Sequence, residues 1–131
     1  MVRTLGIVLV VDDDPLVRIV ISECLIDAGF TVDAHALGTS ALRSLADRQK
    51  DFHAVVTDVD LGERVDGWDV GRAARSHRPE IMVVYISGGA ASGALWHSMG
   101  VEQSTFLQKP FDIACLTDLL AAPIVQQAIA S

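Results

Sequence analysis

Five short apolar runs, separated by longer stretches with helical periodicity, constrain this chain more than any other feature. The runs are LGIVLVV (5–11), TVDAH (31–35), HAVVTD (53–58), IMVVYIS (81–87) and STFLQ (104–108). Several are rich in Val and Ile and too short for helices, so they read as strands buried on both faces. TVDAH is polar enough to be an edge strand. The stretches between them read as helices. PLVRIVISECLIDAG opens on Pro15, where a missing N–H costs nothing, and closes on Gly29, a common helix-ending residue. Val17, Val20, Ile21 and Cys24 give it an apolar stripe. TSALRSLADRQ repeats the pattern with Ala41, Leu42 and Leu45, and GWDVGRAARSH, SGALWHSMG and DIACLTDLLAA are three more helices. The tail PIVQQAIAS, from Pro123, reads as a short helix or a frayed end. Strand and helix alternate five times, which predicts an α/β fold with a parallel sheet covered by helices on both faces.

Several strands end in polar chemistry. Asp12, Asp13 and Asp14 follow the first, Asp58 ends the third, Ser87 ends the fourth, and Lys109 follows the fifth. In an open parallel sheet, ligands bind beyond the carboxyl ends of the strands. These groups are therefore expected to share one pocket. Asp14, just before Pro15, is expected to cap the first helix and not to join the site.

Charge decides what such a pocket requires. Two carboxylates about 4 Å apart repel by roughly 4 kcal/mol at an effective dielectric of about 20. Clustering three of them would consume much of a small domain's stability, about 5–15 kcal/mol. A hard cation removes the problem, and carboxylate oxygens with open positions suit Mg²⁺, which also binds phosphate. Lys109 adds a positive point charge and Ser87 a hydroxyl donor. The residues thus point to a Mg²⁺-dependent phosphate site centred on a carboxylate.

Composition narrows the partners. A formal charge of −7, with no run of Lys or Arg, argues against nucleic-acid or anionic-membrane binding. No apolar run approaches the roughly 20 residues of a membrane helix, and the N-terminal stretch does not read as a signal peptide. Cys24 and Cys115 fit no metal motif or disulfide framework and are expected to be small buried hydrophobes in a cytoplasmic protein. The four histidines are scattered and read as structural or solvent-exposed, and Trp68 and Trp96 as packing or partner-surface residues. The 131 residues suit one domain, with a core at about 5–122 and a tail at 123–131.

VVDDDPLVR, VVTDVDL followed by DG, VVYISG and FLQKPF, in that order and spacing, resemble the receiver domain of two-component response regulators. The resemblance implies a flavodoxin-like five-stranded sheet in the order 2-1-3-4-5. It implies that Asp58 accepts a phosphoryl group from a histidine kinase or a histidine phosphotransfer protein. Asp12 and Asp13 would hold Mg²⁺, Asp13 directly and Asp12 through water, with Asp58 and the backbone carbonyl of Asp60 as further ligands. Ser87 and Lys109 take the family's hydroxyl and lysine positions, and Phe106 takes that of the switch aromatic. Without a hydroxyl to anchor it in water, Phe106 is expected to lie largely inward. The Lys109–Pro110 bond is cis in the family.

The chain departs from the family pattern in three ways. Gly62 stands where the family usually has Pro, the LGERVDG loop is one residue longer than the commonest form, and Asp60 places an acid two residues after Asp58. That loop is expected to be more mobile. Gly88 should leave the phosphoryl site open. The chain is expected to be a stand-alone receiver, or a receiver from a larger hybrid kinase, with a downstream protein as target at its fourth helix, fifth strand and fifth helix. Two other readings remain. One is a receiver-like interaction module that takes no phosphate. The other is a phosphatase, because DVDLG (58–62) resembles the nucleophile loop of haloacid-dehalogenase-type enzymes.

Overall fold

A computed structural model of the chain describes residues 4–130, with side chains through position 123. The elements alternate as the sequence predicts: β1 (Ile7–Val11), α1 (Pro15–Asp27), β2 (Thr31–His35), α2 (Gly38–Leu45), β3 (Phe52–Asp58), α3 (Gly67–His77), β4 (Met82–Ser87), α4 (Ser92–Met99), β5 (Thr105–Gln108) and α5 (Ile113–Ala130). The sheet order is β2-β1-β3-β4-β5, and every pairing is parallel. The expected edge strand, β2, is an edge.

Side-chain alternation along the strands divides the core into two layers. Leu9, Val11, Val55 and Tyr85 face α2 and α3, where they meet Ala41, Leu45, Val70 and Ala74. Val8, Val10, Ala54, Val56, Val84 and Ile86 face α1 and α5, where they meet Ile21, Leu25, Leu116 and Leu120. Burying a Val or Leu side chain fully is worth about 1.5–3 kcal/mol, so β1 and β3, apolar on both faces, are the natural centre of the sheet.

The helices follow local rules. Asp14 caps α1, its Oδ1 accepting the Leu16 N–H at 2.9 Å, as expected. Asp66 and Asp69 form a reciprocal capping box on α3. The buried line of α1 runs through Val17, Ile21 and Leu25, one turn apart, so Val20 falls outside it and is 53% exposed. Cys24 is half-buried and Cys115 is exposed, because the buried line of α5 passes through Leu116 and Leu120 instead. The helix predicted for residues 112–122 continues through Pro123 to Ala130. No helix among the described residues is long and apolar enough to cross a membrane.

The strand order creates the crevice. From β1 the chain moves outward to β2, then returns across β1 to form β3 on its other side. The connections after β1 and β3 therefore diverge and open a cleft at their carboxyl ends.

Candidate functional site

Asp12, directly after β1, is fully buried, and Asp58, the last residue of β3, is nearly so. Asp13 is exposed at the mouth of the cleft. Each of the three offers a carboxylate oxygen within 4.8 Å of the others. Lys109 reaches the same point from the end of β5, its Nζ 3.0 Å from Asp12 Oδ2 and 3.1 Å from Asp58 Oδ2. The backbone N–H of Lys109 donates to the carbonyl of Ser87 at 2.8 Å, tying its approach to the end of β4. The Lys109–Pro110 bond is cis.

Asp12 is fully committed. Its Oδ2 accepts from Lys109, its Oδ1 accepts the Asp14 N–H at 2.9 Å, and its carbonyl accepts from Arg18 at 2.8 Å. Asp58 accepts from Lys109 through Oδ2 and from the Asp60 N–H through Oδ1 at 3.2 Å. Burial, then the Asp12 charge, push the Asp58 carboxyl up to about 6, although Lys109 and the Asp60 N–H pull the other way. Burial pushes the Lys109 ammonium down, but its contacts with Asp12 and Asp58 outweigh this and its pKa is raised. One ammonium set against three carboxylates leaves the pocket with excess negative charge.

The loop between β3 and α3 carries Asp60 and Gly62. The Asp60 carboxylate accepts the Gly62 N–H at 3.2 Å. Gly62 has φ +67°, a conformation that proline cannot adopt, so the family's usual Pro would not fit this backbone. The longer loop is tied to α2. The Thr39 N–H donates to Glu63 Oε1 at 3.1 Å, and Val65 lies over Gly38 so closely that a Cβ there would stand 2.7 Å from its Cγ1. A glutamate capping a helix in another part of the chain leaves no signal in the sequence, and Glu63 was not among the expected site residues.

Ser87 is buried at the end of β4, beside the cleft, but its hydroxyl faces α4. It donates to Ser92 Oγ at 2.9 Å and accepts the Gly89 N–H at 3.0 Å. Phe106 is half-buried against the core layer of α2 and α3, so it is partly inward. Its ring stacks on Trp96 of α4, with centroids 6.0 Å apart. Trp68 is buried against Tyr85. His35 and His53 are held in the fold, His53 by the carbonyl of Leu120 at 2.8 Å, whereas His77 and His97 are exposed. An open apolar groove lined by Leu16, Val17, Val20, Ile21, Pro110 and Phe111 borders Lys109.

Together these features define a doubly wound α/β protein with a carboxylate-lined crevice at its topological switch point. The sequence profile of the response regulator receiver domain matches residues 8–121, and the chain belongs to that family. A putative NtrX-like response regulator from Rickettsia bellii is 32% identical over 114 residues, covering 86% of this chain and 23% of its own length. The chain thus spans about a quarter of that curated relative. The crystal structure of a response regulator receiver protein from Sinorhizobium medicae is 37% identical with a TM-score of 0.83, covering 89% of this chain and 92% of that one. The receiver domain of a sensor histidine kinase from Pseudomonas aeruginosa is 26% identical with a TM-score of 0.74, covering 89% of this chain and 95% of that one. That structure is described with a magnesium ion coordinated in its active site cleft. Membership of this family makes the chain a component of two-component signalling.

Proposed function

We propose that the chain is a single phosphoacceptor domain in which Asp58 takes a phosphoryl group from a phosphohistidine. The observation that carries this reading is the convergence of Asp12, Asp13, Asp58 and Lys109 at one crevice from three separate strand ends. An Asp58 oxygen attacks phosphorus, the P–N bond to imidazole breaks, and an aspartyl phosphate forms as the imidazole takes a proton. Lys109 stands beside Asp58 Oδ2, where it neutralises charge gathering on the phosphoryl oxygens.

The donor set fits Mg²⁺: hard oxygen ligands, one of them on the exposed Asp13, in a pocket with too little positive charge of its own. Asp13 and Asp58 would hold the ion directly, with the carbonyl of Asp60. Asp12, fully buried where Asp13 is exposed at the mouth, would act through water. When bound, the ion supplies electrostatic stabilisation of the phosphoryl group.

The donor is a histidine kinase or a histidine phosphotransfer protein. The apolar groove beside Lys109, continued by exposed Leu16 and Ile19, offers such a protein a landing surface close to Asp58. The output is a changed contact with a downstream protein at the surface of α4, β5 and α5. A cytoplasmic location suits these partners. The acidic composition supports neither nucleic-acid nor anionic-membrane binding.

Labelling by a small acyl-phosphate donor, with and without Mg²⁺, tests the proposal. Stoichiometric, base-labile, Mg²⁺-dependent label mapping to Asp58 is the expected result, and Asp58→Asn abolishes it. Wild-type labelling of the Asp58→Asn variant overturns the assignment. A folded chain that takes no label favours a receiver-like interaction module instead.

A further inference from the structure

We propose that Ser92 is a latch that holds Ser87 in its resting orientation. The inference rests on the reading of Asp58 as the phosphoacceptor, and it concerns a residue that the site's chemistry does not otherwise use. A serine hydroxyl has a single proton to donate. Ser87, buried at the strand end, gives that proton to Ser92 Oγ at 2.9 Å, and the Gly89 N–H donates to Ser87 Oγ at 3.0 Å. Its hydroxyl is therefore satisfied entirely from the β4–α4 loop and the first residue of α4. Turning that hydroxyl toward a phosphoryl oxygen on Asp58 takes its proton away from Ser92, so the resting contact opposes the phosphorylated orientation.

The element on the far side of the latch is built to feel that exchange. None of the residues of α4 is buried, and its N-cap, Ala91, makes no side-chain capping bond. The Ser92 N–H reaches the Gly89 carbonyl only at 3.3 Å. The opposite end is well held. The Val101 N–H donates to the Tyr85 hydroxyl at 3.1 Å, Trp96 Nε1 donates to Ser104 Oγ at 2.9 Å, and Arg75 reaches the carbonyls of Glu102 and Gln103. Releasing Ser92 therefore loosens the first turn of α4 while its C-terminal end stays in place. The latch opposes the phosphorylated state, and its removal favours that state.

The test uses the full chain with Mg²⁺ and beryllofluoride, a stable phosphoryl mimic, and reads apparent affinity from the melting temperature as beryllofluoride is titrated. Ser92→Ala and Ser92→Val bind the mimic tighter than wild type, by about 2- to 10-fold, the weight of one net hydrogen bond. Ser92→Thr, which keeps the hydroxyl in nearly the shape of Val, binds like wild type. Equal affinities for the Thr and Val variants overturn the latch, since helix propensity or packing would then explain any change. So do weaker or unchanged affinities for Ala and Val when wild type binds. Failure of wild type to bind the mimic at all overturns the Asp58 reading, and the latch with it.

Discussion

Gly67 lies directly against the carbonyl of Asp58: a Cβ at Gly67 would stand 2.1 Å from that oxygen and 2.7 Å from the Cα of Val59. The Gly67 N–H also donates to the carbonyl of Val59 at 2.8 Å. The first residue of α3 is thus docked on the strand end that presents the candidate nucleophile, and only glycine fits. Gly67→Ala must push α3 or Asp58 aside. A stability loss of about 1–3 kcal/mol is expected, with slower acyl-phosphate labelling. Chemical denaturation and labelling rates check both, and wild-type values in each would remove the positional role of Gly67.

Gly62 carries a different constraint. Its φ of +67° lies outside proline's range, and its N–H serves the Asp60 carboxylate. Restoring the commoner family residue with Gly62→Pro should therefore destabilise this chain, by about 1–3 kcal/mol, and not stabilise it. The loop's tie to Glu63 and Thr39 should confine the disturbance to residues near 60–66, which hydrogen exchange would report.

Asp58 also makes the metal-free protein sensitive to pH. Its carboxyl titrates at about 6 in the fold, against 3.8 as the ordinary value, because of burial and the neighbouring Asp12. A folded pKa above the unfolded one gives stability that is fully present below 3.8 and lost as pH rises through about 6. Asp58→Asn is neutral throughout. In EDTA it should be more stable than wild type at pH 7.5, by up to roughly 2–3 kcal/mol, with the gain shrinking below pH 6 and absent near pH 3.5. Urea denaturation across this range checks the sign. A gain of the same size at all pH values would assign the effect to packing instead.

Metal binding should follow the exposed acid. Mg²⁺ that binds only the folded chain stabilises it by about 2.7 kcal/mol at 100 times Kd, a rise of several degrees in melting temperature. Asp13→Ala should remove most of that rise, and without metal it should be at least as stable as wild type because one repulsive charge is gone. Thermal melts with Mg²⁺ and with EDTA measure both effects. Equal Mg²⁺ shifts in wild type and variant would rule out Asp13 as a ligand.

The sequence alone determined most of the frame. Strand and helix periodicities differ, and apolar runs that end in Asp12, Asp13, Asp58, Ser87 and Lys109 carry their chemistry in local order, so the parallel α/β architecture and the members of the candidate site could be read from it. The sheet order came from the resemblance carried by the four motifs, which periodicity could not supply. Tertiary structure decided what depends on contacts between distant segments. The stripe of α1 shifted past Val20 because helix rotation is set by what the helix packs against. The longer loop meets α2 through Glu63 and Val65, contacts that no local pattern announces. Ser87 stands where the strand end puts it, yet its hydroxyl faces Ser92, because a hydroxyl rotates toward whichever partner the fold brings near. Local propensity places a residue on an element and at its end, whereas a side chain's orientation and its hydrogen-bond partner are settled by neighbours far away in sequence.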